Sequence, residues 1–440
     1  MASPALLLHH LVDQLHDPAS PLVADLAACG IDAVTRLQKA SLALIDPSSR
    51  SQATSVLDEL IALAHKRMAE QRLNFCWRRL YTDACILRSL ADVMSLNPRN
   101  DQNAKLCVSR LDRSLIVAGA PGEGRYDLLL DLIAKLQSDY LPSSPFDLSA
   151  AQTRFLVTSS HPSPVASSSM PIPRLSAPPS LSHFQRHLFQ NPFILPGSAL
   201  DWPAMTEHPW HSPDYLRSVG GRGRIVPVEI GSDYRTEDWS QEMMDWDEFL
   251  DSLESSRAPD RVLYLAQHSL FTQFPALRAD IVVPDYVYTC PSAPANYTGY
   301  QPPGNEDQLV INAWLGPKGT TSPAHTDPFF NCYAQVVGRK TVWLAPPEAT
   351  PFMYPYPDST ADVDKRAHNP AANTLEPSMS NTSRVDVFAT PDANYPLFWE
   401  HAVPRAMSAT LEPGDVLFFP PGWWHALRSE DVSFSVSMWF

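Results

Sequence analysis

The sequence predicts an α+β protein, with a helical N-terminal domain followed by a β-rich domain of jelly-roll type. Three observations carry this. Apolar residues recur at helical spacing to about residue 140, a Pro/Ser-rich stretch follows, and short β-type runs broken by Gly and Pro fill the rest. At 440 residues the chain is also too long for one ordinary core.

The helical part is read from its stripes. Val56, Leu57, Leu60, Ala64 and Met68 recur at three- and four-residue steps, as do Trp77, Leu80, Tyr81, Ala84 and Leu87, and then Leu129, Ile133 and Leu136. Such stripes mark amphipathic helices with one face turned to a core. No strict repeat period is present, so a solenoid is not indicated. We assign residues 1–145 to this domain, whose helix pairs can stack as an interaction scaffold for a partner that the sequence does not identify.

The texture changes at residues 158–182, where fifteen of twenty-five positions are Pro or Ser and none is acidic. Such a segment buries too little apolar surface to offset its ordering entropy. Residues 146–184 are therefore expected to form a linker. Beyond it, RIVPVEI, DRVLYLAQ, LVINAWLG, CYAQVVGRKTVWLAP, DVLFFP and VSFSVSMWF read as strands of a sandwich or barrel spanning 185–440. A Pro-, Asp-, Asn- and Ser-rich stretch at about 346–395 reads as a loop insertion, with room for a short helix.

Composition narrows the function classes. The formal charge is −15, which disfavours direct nucleic-acid binding, because phosphates reward Lys and Arg. An acidic surface can attract basic peptides, although solubility alone is the commoner reason for such a balance. The six cysteines are scattered and form no CxxC pair, unlike a zinc finger or a disulfide framework. Reduced thiols in the nucleus or cytoplasm fit best. The opening apolar run, Leu6 to Leu8, has no basic residue before it, so a signal peptide is not expected, nor is a membrane span.

The chemistry-bearing residues sit in two β-type segments. In SPAHTDP, His325 and Asp327 stand two apart, so on an extended chain they share a face. GDVLFFPPGWWHALRS supplies His425, 98 residues after Asp327 and expected on a distant strand across the barrel mouth. Two His and one carboxylate with open positions form the facial triad of non-haem iron(II) oxygenases. His-x-Asp alone also occurs as a surface His beside a capping Asp. Lys340, in the apolar-flanked run VVGRKTVWL, raises the odds: a buried Lys needs a partner, and a 2-oxo diacid needs a cation for its distal carboxylate. Asn331 and Tyr286 can add hydrogen bonds.

In order along the chain, VPVEIGSDY, YLAQH, PDY, INAWLGPKGTTSPAHTDP, QVVGRK, WWHALR and SFSVSMW resemble the family of JmjC-domain-containing protein five, also called lysine demethylase eight, over about residues 185–440. The resemblance implies a JmjC double-stranded β-helix, the cupin-like jelly roll. It implies Fe(II) at His325, Asp327 and His425, and 2-oxoglutarate at Tyr286, Ser322, Asn331 and Lys340, with O2 as second co-substrate. It further implies a substrate-arginine pocket of Glu229, Tyr234 and Trp314, with Trp439 near the closing strand. A guanidinium wants a bidentate carboxylate and an aromatic face, which Glu229 and Trp314 offer. Phe329 and Phe330 depart from the family pattern, as does the longer 346–395 loop, and both departures fall where substrate is expected to enter.

The expected function is thus Fe(II)/2-oxoglutarate-dependent hydroxylation of an arginine side chain in a basic protein or peptide, such as a histone tail or a ribosomal or chromatin-associated protein. One alternative is N-methyl-lysine or N-methyl-arginine demethylation of histones by the same oxidant. The other is a non-catalytic JmjC or cupin-like binding module, against which the intact triad and Lys340 both argue.

Overall fold

Among the described residues the helices of the N-terminal region are α1 Pro4–His16, α2 Pro21–Leu26, α3 Ile31–Ala43, α4 Arg50–Glu70, α5 Phe75–Val93, α6 Asp101–Arg113 and α7 Arg125–Tyr140, and the three stripes read from the sequence fall on α4, α5 and α7. The computed structural model describes every residue except 1–2, 19, 71–74, 96–100, 143–153, 156–164, 232, 237, 256–260 and 358–378. Helix α1 starts where Ser3 accepts a hydrogen bond from the Leu6 backbone and Pro4 occupies the first turn, a site that has no helical N–H to lose. Helix α5 lies at the centre, with Leu80, Ala84, Leu87 and Leu90 buried against Leu57, Leu60 and Ala64 of α4. Its buried Arg79 and Asp83 pair at 2.8 Å, and Arg125 meets the same carboxylate at 2.7 Å. Charge at this depth is tolerated only when paired.

Two compact units emerge, and the first is not continuous in sequence. It comprises residues 1–147, 216–227 and 243–250, and the second holds 148–215, 228–242 and 251–440. The sequence boundary near 145 therefore captures only part of the helical unit. Side chains within that unit explain the extra segments. Asp112 on α6 is fully buried and accepts from Arg224 Nε at 2.9 and 2.8 Å and from the Ile225 backbone at 2.9 Å. Gln137 on α7 donates to the carbonyl of Gly220, and Trp246 Nε1 donates to Leu216.

The expected linker also needs revision. Its residues 146–153 and 156–164 lie outside the described residues. From residue 165 onward the chain packs into the β unit: Met170–Pro171 pairs in parallel with Met407 and Ser408, while Ile172 and Phe184 are buried. Average composition hid these few large apolar residues among the prolines and serines.

The strands are β1 Met170–Pro171, β2 Phe193–Leu195, β3 Ile225–Ile230, β4 Ser240–Asp245, β5 Leu263–His268, β6 Val310–Gly316, β7 Thr321–Thr326, β8 Asn331–Val337, β9 Lys340–Ala345, β10 Met407–Leu411, β11 Val416–Phe419, β12 Trp424–Ser429 and β13 Ser433–Trp439. They build a five-stranded sheet, β1-β10-β9-β12-β7, and an eight-stranded sheet, β2-β11-β8-β13-β6-β5-β3-β4. Inward-facing Val342, Leu344, Leu411 and Leu427 of the first meet Ile194, Tyr333, Leu417 and Phe419 of the second. This is the antiparallel jelly roll expected from the sequence, apart from the parallel β1.

The β8–β9 turn needs Gly338, whose φ is +66° and where a Cβ would lie 2.1 Å from the Val432 carbonyl. Arg339 then turns out to Asp431 at 2.8 Å, and Lys340 begins β9 pointing in. The described ends of the 346–395 insertion are surface loop only in part, most clearly at the exposed residues 389–394. Residues Pro347–Phe352 form a short 3-10 helix, and Met353, Val385 and Val387 join Trp343 and Phe398 in a core of their own.

Candidate metal centre and substrate cavity

Strand β12 runs antiparallel to β7 with His425 opposite His325, so residues far apart in sequence become direct cross-strand neighbours. The separation along the chain suggested a distant strand; register in the sheet gives the adjacent one. Asp327 lies one residue past β7, where its carbonyl accepts from the Gly422 backbone at 2.8 Å. Asp327 Oδ2 sits 3.4 Å from His425 Nε2, and Oδ1 sits 4.0 Å from His325 Nε2. One ligand atom from each of the three lies within 4.8 Å of the others.

Both imidazoles are oriented from behind. His325 Nδ1 donates to the Pro323 carbonyl at 2.7 Å, and His425 Nδ1 donates to the Trp423 carbonyl at 3.0 Å. Each imidazole thus turns its Nε2 toward Asp327. Burial, with the neighbouring His425, pushes His325 down to about 4, so it is neutral near pH 7. For Asp327, burial works against ionisation, but the His425 hydrogen bond and the fields of both histidines prevail and hold its carboxyl below the usual range. Two imidazoles and one carboxylate, with Nε2 and Oδ atoms converging, suit a divalent iron ion with open positions.

Beside this group an inner pocket is lined by Ser322, Asn331, Tyr333, His425, Ser437 and Trp439. Lys340 lies at its back, 1% exposed, with Nζ 2.9 Å from the Tyr333 hydroxyl and 3.4 Å from that of Tyr264. Burial lowers the Lys340 amine to about 7. Burial also raises both phenols, keeping them protonated. The amine and the hydroxyls make a donor set for a carboxylate.

Outside the histidines opens a cavity of ≈ 820 Å³ whose lining includes Glu229, Tyr234, Trp239, Tyr264, Trp314 and Thr382. Burial raises the Glu229 carboxyl, partly opposed by its hydrogen bond with Trp239. Trp314 Nε1 is held by Ser437 Oγ at 2.9 Å, which fixes the ring between the two chambers.

Residues 181–440 match the Cupin-like domain family. The zebrafish (Danio rerio) protein named lysine-specific demethylase 8 is 35% identical over 83% of this chain and 81% of its own length. The Drosophila melanogaster Jumonji C domain-containing protein 5 is 34% identical over 82% of this chain and 80% of its own. The chain belongs to the JmjC-domain-containing protein 5 family. A plant relative from Arabidopsis thaliana, named lysine-specific demethylase JMJ30, is 36% identical over 59% of this chain and 53% of its own. By membership the chain is a 2-oxoglutarate-dependent oxygenase of the JmjC type.

The structure brings His325, Asp327, His425, Ser322, Asn331, Lys340, Glu229, Tyr234, Trp314 and Trp439 around these two chambers. Tyr286 is not among them. Its hydroxyl donates to the Pro179 carbonyl at 2.7 Å, and its ring packs on Phe184 in a separate cavity. The phenols beside Lys340 are Tyr264 and Tyr333, which the sequence reading did not single out. Strand alternation offered a signal for Tyr333, since it shares a face with Asn331 two residues earlier. Tyr264 sits in YLAQH, one of the quoted motifs. Phe330 is fully buried among Phe418, Phe440 and Tyr300, so it does not face the entrance, whereas Phe329 packs tilted against Trp439 with ring centroids 5.7 Å apart. Met379, Asn381 and Thr382 also line the outer cavity, from a low-complexity stretch that carried no signal.

Proposed function

We propose that this chain hydroxylates an arginine side chain of a basic protein or peptide, using Fe(II) and 2-oxoglutarate. The observation that carries the reading is Glu229, a carboxylate sharing one cavity with His325, Asp327 and the Trp314 ring. A guanidinium entering that cavity meets a carboxylate for its fork and an aromatic face for stacking.

In this reading His325, Asp327 and His425 hold iron, whose bound chemistry with 2-oxoglutarate and O2 yields succinate, carbon dioxide and one oxygen atom for the substrate. Lys340, with Tyr333 and Tyr264, takes the distal carboxylate of 2-oxoglutarate. Ser322 and Asn331 line the path between. Glu229 and Tyr234 orient the substrate, and Trp314 screens the inner chamber from water. No helix among the described residues is long and apolar enough to cross a membrane, and none of the six cysteines is disulfide-bonded, both compatible with work in the nucleus or cytoplasm. The acidic charge of −15 is compatible with a basic partner.

N-methyl-lysine demethylation is the second reading, because relatives carry the name lysine-specific demethylase. Mass spectrometry on paired basic peptides separates the two. A gain of one oxygen on an arginine peptide supports hydroxylation, while loss of a methyl unit from a methylated peptide with no oxygen gain elsewhere overturns it.

A further inference from the structure

The return limb of the 346–395 insertion is hydrogen-bonded to the strand that carries His325. Thr382 forms an isolated antiparallel bridge with His325. The Thr326 backbone donates to Asn381 at 3.0 Å, that of Ser383 donates to Ala324 at 2.8 Å, and Asn381 Nδ2 donates to the Thr326 carbonyl at 2.9 Å. The other side of the limb meets the chain again, with Tyr356 donating to Thr382 and Arg384 to Tyr354. The limb therefore acts as an added strand whose Asn381 and Thr382 form one wall of the substrate cavity.

The facing wall is the segment after β3, which carries Tyr234, Arg235 and Trp239. One side chain ties the two walls together. Arg235 binds Asp233 through Nε at 3.1 Å and Nη2 at 2.9 Å, and its Nη1 donates to the carbonyls of Ser383 and Val385, each at 3.3 Å. It is largely buried, with a side-chain exposure of 12% against 13% for Asp233. A planar fork can serve a carboxylate on one edge and two carbonyls on another; a Lys ammonium cannot span all of these. Above this tie the Tyr234 hydroxyl meets Thr382 Oγ1 at 3.4 Å.

We propose that Arg235 is a positioning residue that fixes the width of the substrate cavity by clamping the insertion's return limb against the segment bearing Tyr234. The limb is then a specificity element, reading the residues that flank the target side chain through Asn381 and Thr382. This rests on the cavity being the protein-substrate site proposed above. Arg235 touches neither the metal group nor the inner pocket beside Lys340, so it acts on the protein substrate and not on the co-substrate.

The test compares wild type with Arg235→Met, Arg235→Lys and Asp233→Asn as full-length, iron-loaded proteins, on whichever basic peptide the wild type oxidises or demethylates. Losing two charge-assisted bonds to one wall should raise the peptide KM about tenfold in Arg235→Met and lower the ratio of peptide product to succinate. Arg235→Lys should fall between, and peptide-independent succinate release with its 2-oxoglutarate KM should stay within about twofold of wild type. Hydrogen exchange without any substrate gives a second arm: the Thr326 and Ser383 amides should exchange faster in Arg235→Met, while β8 amides stay unchanged. Wild-type peptide KM with wild-type exchange in Arg235→Met overturns the clamp. So does a loss of succinate release equal to the loss of peptide turnover, which would mean general damage to the His325 strand. A wild type that oxidises no arginine peptide sinks the arginine reading alone, because the exchange arm and the demethylation assay still report on Arg235.

Discussion

The Tyr333 hydroxyl lies 2.9 Å from Lys340 Nζ, in an interior where the amine is 1% exposed. Tyr333 is on β8 and Lys340 begins β9, so one hairpin turn brings both into the inner chamber. A Lys at this depth, with its amine lowered to about 7 by burial, is a strained resident until a carboxylate joins it.

Lys340→Met should weaken 2-oxoglutarate binding by about tenfold to a hundredfold, the worth of one charge-assisted hydrogen bond to a carboxylate. Metal binding by the free protein should be unaffected. Calorimetric titration of the co-substrate analogue N-oxalylglycine checks this, and an unchanged affinity would move the anchor to another cation. Arg339 is a poor substitute, being committed to Asp431.

The same amine sets a pH dependence. Below about pH 7 Lys340 is largely charged in the free protein, and above that it loses its proton. Co-substrate binding needs the charged form, so affinity should be greatest on the acid side of about 7 and fall as pH rises through it. In Lys340→Met this slope should vanish. A wild-type affinity that instead rises from pH 6.5 to 8.5 contradicts the assignment.

Asp327→Ala removes the anionic member of the proposed iron group. Succinate formation should fall by more than about a hundredfold, beyond the usual cost of changing a residue that merely supports a ligand. Iron content after dialysis should fall with it. Near wild-type turnover would show that iron sits elsewhere.

Glu229→Gln keeps the side-chain shape and removes the charge. If the substrate is arginine, peptide oxidation should drop by the equivalent of about 2–5 kcal/mol, with succinate release in the absence of peptide retained. The wild type should also prefer arginine over lysine at the target position, since lysine lacks the planar fork. Equal rates on both peptides, with and without Glu229, would rule the pocket out.

Asp112→Ala probes the helical unit. It removes the buried carboxylate that accepts from Arg224 Nε and from the Ile225 amide, so unfolding in urea should show a loss of about 3–5 kcal/mol. A change below about 1 kcal/mol would mean the pair is solvated and contributes little.

The sequence alone showed the stripes of α4, α5 and α7, the longer β-type runs of the jelly roll, and His325, Asp327 and His425 as a candidate constellation. The stripes, the runs and the His325–Asp327 pair are periodicities and short-range spacings, which the chain displays directly, and His425 was picked out by its own local motif. Lys340 was legible too, because a cation within an apolar strand run is conspicuous. Only tertiary structure decided the rest. Sheet register set His425 opposite His325, and strand packing chose Tyr264 and Tyr333, not Tyr286, as the phenols beside Lys340. Buried pairing of Asp112 with Arg224 gave residues 216–227 to the helical unit. Backbone hydrogen bonds to β7 made Asn381 and Thr382 a cavity wall. Each of these depends on which distant segments share a hydrogen-bond ladder or a buried charge partner. Such pairings are chosen by the packed chain as a whole, and no local pattern of residues encodes them.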